Sequence, residues 1–349
     1  MSTRRDRRRV VVALGGNALG DNLDEQMRAA QIAANAIVEI VEADWELVLV
    51  HGNGPQVGMI ETAFEVAARV EADRVRAEAR AEPRAEPAPT PTGATPAPTS
   101  APRPQTAFSV LPMSVCVALS QGYIGYDLQN VLRRTFEVRG LSTPVATIIT
   151  QVLVDPNDPA FHNPAKPIGG FMSEAEAAHL RSEGVAVMED SGRGWRRVVA
   201  SPEPVDILEA KTVQAMLAAG QVPIACGGGG IPVALIEGRY HGQTAVVDKD
   251  LAAAKLAECI DADLLIILTA VEQVYLDFGT SSQRAIDRMD VEEAERLLLA
   301  GQFAKGSMEP KIEAAVRFVR SGRGREVVIA DLRQARAAIE GAAGTRIVA

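Results

Sequence analysis

Three lysines and three glycine turns are the residues of this 349-residue chain best suited to act together on an anion. The turns are Gly15-Gly16-Asn17, Gly52-Asn53-Gly54 and Gly227–Gly230, each following a short apolar run that reads as a strand. Glycine lets backbone N–H groups approach an anion with no Cβ in the way, and a following helix N-terminus adds partial positive charge. Strand ends are also where open α/β sheets bind ligands. The lysines are Lys166, Lys249 and Lys311. Of the 36 basic side chains only six are lysine and 30 are arginine, so lysine marks places that want a compact point charge. Lys249 stands between Asp248 and Asp250 at the head of a helical segment. An aspartate there can cap the helix, and it can also fix an ammonium group where a transferring phosphoryl needs it. Lys311 ends Gly306-Ser307-Met308-Glu309-Pro310-Lys311 and enters a helix at the end where cations are disfavoured, which points to an anionic ligand. Lys166, in Asn163-Pro164-Ala165-Lys166-Pro167-Ile168-Gly169, reads as part of a rigid loop. The combination suggests phosphoryl transfer. The pattern G-x-x-x-x-G-K-[ST] is absent, so a nucleotide must be held in another way.

Elements of a definite kind have to bring these groups together. Apolar runs at Val10–Leu14, Glu46–Val50, Val145–Thr150, Val222–Cys226, Leu264–Thr269 and Val327–Ala330 alternate with helical patterns. The helical patterns cover Gln26–Ala43, Ser114–Arg139, Val205–Ala219, Leu251–Ile260 and Pro310–Ser321. The alternation predicts a parallel sheet flanked by helices, with strands covered on both faces. Residues 76–107 break the rhythm: they hold no aliphatic, aromatic or sulfur side chain larger than alanine, and eight of the 20 prolines. Such a segment cannot offset its ordering entropy by burial and is predicted to be a disordered surface insert. Asp155–Ser201, rich in Asn, Pro and Gly, is too long for an ordinary loop and predicts a protruding subdomain or lid that carries Lys166.

Composition narrows the function. With 36 basic and 45 acidic residues the net charge is −9, and the one basic run, Arg4–Arg9, reads as a solvated tail over residues 1–9. Nucleic-acid binding is not expected. Cys116, Cys226 and Cys259 lie far apart and only four histidines accompany them, which supports neither a zinc site nor a disulfide framework. No apolar run nears the roughly 18 residues of a membrane span, and the start lacks a signal peptide. The chain reads as a soluble cytosolic enzyme or binding module. Two motifs are set aside. Gly52-x-Gly54-x-x-x-Gly58 looks like a dinucleotide fingerprint, but its acidic partner would fall at Glu71 or Asp73, entering the insert. Asp277-Phe278-Gly279 copies a protein-kinase triplet without that family's other motifs.

Several segments together resemble carbamate kinase, of the amino acid kinase fold group: VVALGGNAL at Val11–Leu19, HGNGPQVG at His51–Gly58, SQGYIG at Ser120–Gly125, Gln151–Gly169, GRGWRRVVASPEP at Gly192–Pro204, IACGGGGIP at Ile224–Pro232, VDKDL at Val247–Leu251 and Gly306–Lys311. The likeness covers the chain except for its Arg-rich start and residues 70–107. It implies an open, largely parallel αβα sandwich with a small protruding subdomain, a cytoplasmic homodimer, and the reaction ATP + carbamate ⇌ ADP + carbamoyl phosphate, run towards ATP by many members in arginine catabolism. Residues 10–215 would form the acceptor half and 216–349 the nucleotide half. Lys166, Lys249, Asp250 and Lys311 would be catalytic. Gly15, Gly16, Asn17, Gly52, Asn53, Gly54, Gln121 and Gly169 would hold the phosphoryl and carbamate groups. Gly227, Gly228, Gly229, Asp248, Thr269, Ala270, Tyr275, Gly306, Ser307 and Met308 would hold the nucleotide, which would bring its own Mg²⁺ with no protein metal ligands. The wider fold group often has a lysine where this chain has Ala13, and Lys166 would supply that charge. Ala270 replaces an acidic residue common in relatives. Another acid kinase of the same fold, acting on acetylglutamate or glutamate, and a catalytically silent nucleotide-binding regulator are the alternatives.

Overall fold

The computed structural model describes residues 7–15, 23–81, 110–190 and 192–349. Eight strands form the central sheet: β1 (Arg9–Leu14), β2 (Glu46–His51), β3 (Val145–Thr147), β4 (Val222–Ile224), β5 (Leu264–Thr269), β6 (Arg288–Asp290), β7 (Glu326–Asp331) and β8 (Thr345–Val348). Their order is β6-β8-β7-β5-β1-β2-β4-β3, and every neighbouring pair is parallel except β7 with β8. The helices are α1 (Leu23–Glu42), α2 (Gln56–Ala81), α3 (Met113–Val138), α4 (Glu174–Ser182), α5 (Ala210–Ala218), α6 (Lys249–Cys259), α7 (Val291–Leu299), α8 (Met308–Arg320) and α9 (Ala335–Glu340).

Strand side chains point to alternate faces, and here both faces are covered. Val11, Ala13, Val48, Val50, Leu265 and Ile267 pack with α5, α6 and α8. Val10, Val12, Leu14, Leu47, Leu49 and Ile266 pack with α1, α3 and α9. This is why the strands carry so few polar side chains. The expected sandwich is present, with some changes of boundary. The Val145–Thr150 run ends its strand at Thr147, and Gln151–Leu153 joins a second sheet with Ile231–Ile236, Arg239–Gly242 and Asp206–Ile207. β4 pairs with β2 and β3, so the expected division at 215/216 does not coincide with a break in the sheet. α2 was not expected and runs into the 76–107 segment. Alanines and the ion pairs of Arg74 with Glu71 and Glu78, at helical spacing, favour the helix there. The remainder of that segment, 82–107, lies outside the described residues. The basic run is no free tail at its end. Arg9 opens β1, buried, and bonds Glu46 and the Ile260 carbonyl, while Arg8 stacks on Trp45 at 4.4 Å.

Within the expected subdomain, 155–201, lie a three-stranded antiparallel sheet of Lys166–Met172, Trp195–Val199 and Val187–Glu189 and the helix α4. Lys166 therefore opens a strand, opposite Val199, rather than lying in a loop. The subdomain is fastened to α2 in two ways. Arg197 pairs with Glu61 at 3.3 Å and Glu65 at 2.9 Å. Gly58 crosses Gly169 so closely that a Cβ on Gly58 would lie 2.2 Å from Gly169 Cα. Gly58→Ala is expected to force these backbones apart and cost about 1–3 kcal/mol in urea unfolding. Gly170→Ala, where nothing lies within 4 Å of the new methyl, should leave stability unchanged.

Candidate functional site

The ends of β1, β2 and β5 and the N-termini of α6 and α8 converge. Asp248 caps α6, its Oδ1 accepting from Asp250 N at 2.8 Å, and this places Lys249 and Asp250 on the first helical turn. The Asp250 carboxylate sits between two ammonium groups: Oδ1 accepts from Lys249 and Oδ2 from Lys311 at 3.1 Å. Lys311 also donates to the Ser307 carbonyl at 3.1 Å. Lys166 arrives from the subdomain and donates to Asp248 Oδ2 at 2.5 Å. Three lysines and two aspartates thus form one cluster. Burial lowers the pKa of Lys249, and Lys311 adds to that, while Asp250 and Asp248 favour its charged form. Burial also opposes ionisation of Asp248, but Lys166 and Lys249 outweigh it and hold the carboxyl well below the usual range.

Three cavities run together across these strand ends. The first, about 260 Å³, is lined by Gly52–Gly54, Lys166, Gly228, Asp248–Asp250 and Lys311. The second, about 410 Å³, shares Gly306 and Lys311 with it and reaches Gly15, Thr269, Ala270 and Ser307. The third, about 250 Å³, shares Thr269, Ala270 and Ser307 and is walled by Tyr275, Phe278, Phe303 and Met308. One trough results, aromatic at one end and cationic at the other. Its dimensions and polarity suit a flat base at the apolar end with phosphates laid towards the lysines. Among the described residues no group of three or more His, Cys, Asp and Glu is placed to hold a metal ion.

Two of the glycine turns support each other. Cys226 adopts φ 49°, and Gly228, Gly229 and Gly230 all have positive φ, a conformation side chains resist. A Cβ on Gly228 would lie 1.8 Å from Asn53 Oδ1, and one on Gly229 would lie 2.0 Å from the Val247 carbonyl. Asn53 bridges the turns: Nδ2 donates to the Gly228 carbonyl at 3.0 Å and Oδ1 accepts from Ser120 at 2.7 Å. Beneath them lies His51, wholly buried, with Nδ1 2.8 Å from the Gly52 carbonyl.

Most of the expected site residues lie along the trough: Lys166, Lys249, Asp250 and Lys311, Gly15, Gly52–Gly54, Gly228, Asp248, Thr269, Ala270, Tyr275, Gly306, Ser307 and Met308. Four do not line it. Gln121 is buried as a brace, donating to the Thr150 and Gly227 carbonyls and accepting from Thr150 N. Gly169 makes the crossing with Gly58, its carbonyl held by Arg196, and it is Pro167 and Ile168 that line the cavity. Gly227 and Gly229 are buried for close packing, and Gly228 faces the cationic cavity rather than the aromatic one. Gly16 and Asn17 lie outside the described residues. Sequence reasoning missed His51, Ser120, Phe303 and Phe278. The last belongs to the set-aside Asp277-Phe278-Gly279 triplet, which forms a turn with Asp277 at φ 49° and brings Phe278 to 6.1 Å from the Tyr275 ring.

Comparison with known proteins covers nearly the whole chain. The Amino acid kinase family matches residues 8–331. The carbamate kinase-like protein YqeA of Escherichia coli (strain K12) is 52% identical over 340 residues, 97% of this chain and 99% of that protein. Carbamate kinase of Clostridium perfringens is 43% identical, with 97% and 99% covered. The solved structure of carbamate kinase from Giardia lamblia bound to AMP-PNP is 34% identical, with a TM-score of 0.80 over 98% of this chain and 99% of that one.

The site makes acid stability depend on His51. Burial pushes its pKa down to about 4, the bond to Gly52 only partly opposing this, against an ordinary value of 6.5. Between these values the unfolded chain binds more protons, so stability rises with pH across the window and falls on acidification. The cost is complete below pH 4 and amounts to about 3 kcal/mol. Urea unfolding at pH 7 and pH 4.5 should show a loss about 2 kcal/mol smaller in His51→Asn than in the parent.

Proposed function

Since the chain belongs to the amino acid kinase family, we propose that it is a carbamate kinase, catalysing ATP + carbamate ⇌ ADP + carbamoyl phosphate. The observation that carries this reading is the cationic cavity itself. Three lysines and two glycine turns enclose about 260 Å³, which must hold both the transferring phosphoryl and the acceptor. Its lining of ammonium groups and backbone N–H groups suits a compact anion such as carbamate, and relatives that match along nearly the whole chain are carbamate kinases. The cavity also argues against a silent regulator, which would have no need of the lysine cluster.

An oxygen of carbamate attacks the γ-phosphorus, a new P–O bond forms, the bond to the β–γ bridging oxygen breaks, and ADP leaves with that electron pair. Carbamate is already an anion, so no proton moves and no general base is required. The difficulty is bringing two anions together. Like charges about 4 Å apart repel by roughly 1 kcal/mol in water and about 4 kcal/mol at an effective dielectric of 20. Lys166 from the subdomain and the N–H groups of the Gly52–Gly54 turn face the acceptor, while Lys249 and Lys311 face the phosphates. Asp250 holds both of these ammonium groups at fixed points. Catalysis is then positioning and charge neutralisation in a preorganised site. Mg²⁺ would enter on the nucleotide phosphates and neutralise part of their charge, and the carboxylates nearest the cavity, Asp248 and Asp250, are engaged by ammonium groups. The base would lie between Tyr275, Phe278 and Met308.

A homodimer fits the surface. The outward face of α3 exposes Val115, Leu119, Tyr123 and Tyr126, and the adjoining hairpin exposes Leu235, Ile236 and Tyr240. The two are neighbours, since a Cβ on Gly242 would touch Ser114 Oγ at 2.3 Å. A contiguous apolar patch of this kind marks an interface. No helix among the described residues is long and apolar enough to cross a membrane, and a substrate pair of ATP and carbamate suits the cytoplasm.

Coupled ATP formation from ADP and carbamoyl phosphate tests the activity, and no ATP from the pure protein would refute it. Lys249→Ala and Lys311→Ala should each lower kcat about 10²–10³-fold with a normal circular dichroism spectrum. Leu119→Asp combined with Tyr126→Glu should convert a dimer into a monomer in sedimentation velocity, and an unchanged sedimentation coefficient would rule this face out.

A further inference from the structure

Buried polar atoms are nearly always hydrogen-bonded, so an exception calls for an explanation. His51 Nε2 is such an exception: it is buried and has no hydrogen-bond partner. The ring lies under both glycine turns, at the end of β2. Its Nδ1 is 2.8 Å from the Gly52 carbonyl. A carbonyl only accepts, so Nδ1 carries the proton, and the neutral ring leaves Nε2 bare. On the other side a Cβ placed on Gly227 would lie 2.5 Å from Nε2 and 3.0 Å from Gln121 Cγ, so the second turn closes directly onto the ring. The Gly227 carbonyl is already taken by Gln121 at 2.9 Å. Nε2 has no hydrogen-bond partner in reach, so a proton on it would be left unpaired.

We propose that His51 is a positioning residue: through Gly52 it aims the Asn53 backbone N–H into the cationic cavity, where that N–H meets the anionic end of the acceptor. In a trans peptide the carbonyl and the following N–H point in opposite directions, and no peptide bond among the described residues is cis. Holding the Gly52 carbonyl against the buried ring thus turns the Asn53 N–H the other way, towards the cavity lined by Gly52, Asn53 and Gly54. The Asn53 side chain is committed to Gly228 and Ser120, which leaves its main chain as the ligand-facing group. The bare Nε2 edge sets the distance between the two turns, and only glycine at 227 permits that distance. No other side chain combines this donor with this flat edge: leucine fills the space without donating, and asparagine donates from the Nδ1 position without the ring.

The inference deepens the carbamate kinase reading and rests on it for the identity of the acceptor, so the experiment separates the two. Wild type, His51→Leu and His51→Asn are compared for carbamoyl phosphate KM and kcat, for ADP affinity by calorimetry, and for binding of inorganic phosphate by ³¹P line broadening. His51→Leu should raise the carbamoyl phosphate KM tenfold or more and weaken phosphate binding, with ADP affinity within twofold of the parent. His51→Asn should recover most of the loss. An unchanged KM and phosphate affinity in His51→Leu, or His51→Asn no better than His51→Leu, would overturn the proposal. So would a parallel fall of ADP and phosphate affinity, which marks a merely structural role. Should the wild type fail to consume carbamoyl phosphate, the functional reading falls, and phosphate binding still decides the part played by His51. Should neither variant fold, ¹⁵N spectra of the wild-type ring decide it: a proton on Nδ1 supports the proposal and a proton on Nε2 refutes it.

Discussion

Two ammonium groups do not stay side by side in a largely buried place unless an anion holds them there. Asp250 is that anion, and the arrangement of the trough depends on it. Its two oxygens are divided between Lys249, its neighbour on α6, and Lys311, 61 residues further on α8. The carboxylate is itself almost inaccessible, so it cannot be relieved by water and must remain paired. Removing one partner of a buried ion pair costs more than the pair contributes, because the remaining charge is left uncompensated. This ties the relative placement of α6 and α8 to the chemistry. A shift between these helices large enough to separate the lysines would expose Asp250 to one cation only.

The same economy appears in the subdomain. Lys166 is the sole cluster member that comes from outside the central sandwich, and it is held at one end by Asp248. At the other end Arg197 and the Gly58–Gly169 crossing fasten its sheet to α2. The lysine is thus placed by a three-stranded sheet with two anchors. A strand is a better mount than the loop expected from Asn163–Gly169, because its register with Val199 leaves the Lys166 backbone little freedom.

What could be read from the sequence followed from residue type. Lysines are rare in this chain, and glycines after apolar runs have few uses, so both stood out before any fold was known. The sandwich followed from strands too apolar to face water. The residues that were missed act through neighbours that are distant in sequence. Gln121 looks like a ligand contact in its motif, but its carboxamide is consumed by Thr150 and Gly227. Gly169 looks like an anion contact and serves as a crossing point for Gly58. Phe278 is an exposed turn residue, and nothing in its local sequence says that it lines the same cavity as Tyr275 and Met308. The helix α2 was hidden because its polar, alanine-rich end shares its composition with the proline-rich segment that follows.

The strand order carries a consequence for how the molecule is made. β1, formed by the first residues of the sheet, lies between β2 and β5, and Val10 is paired with Leu264. The Arg9 backbone N–H is bonded to Asp263, 254 residues away. A chain emerging from the ribosome therefore exposes one apolar edge of β1 until β5, which pairs with it, has been synthesised. Non-local pairing of this kind is slow, and unpaired strand edges invite aggregation in the interval. Nascent chains halted before β5 should consequently be clients for chaperones rather than independent folding units.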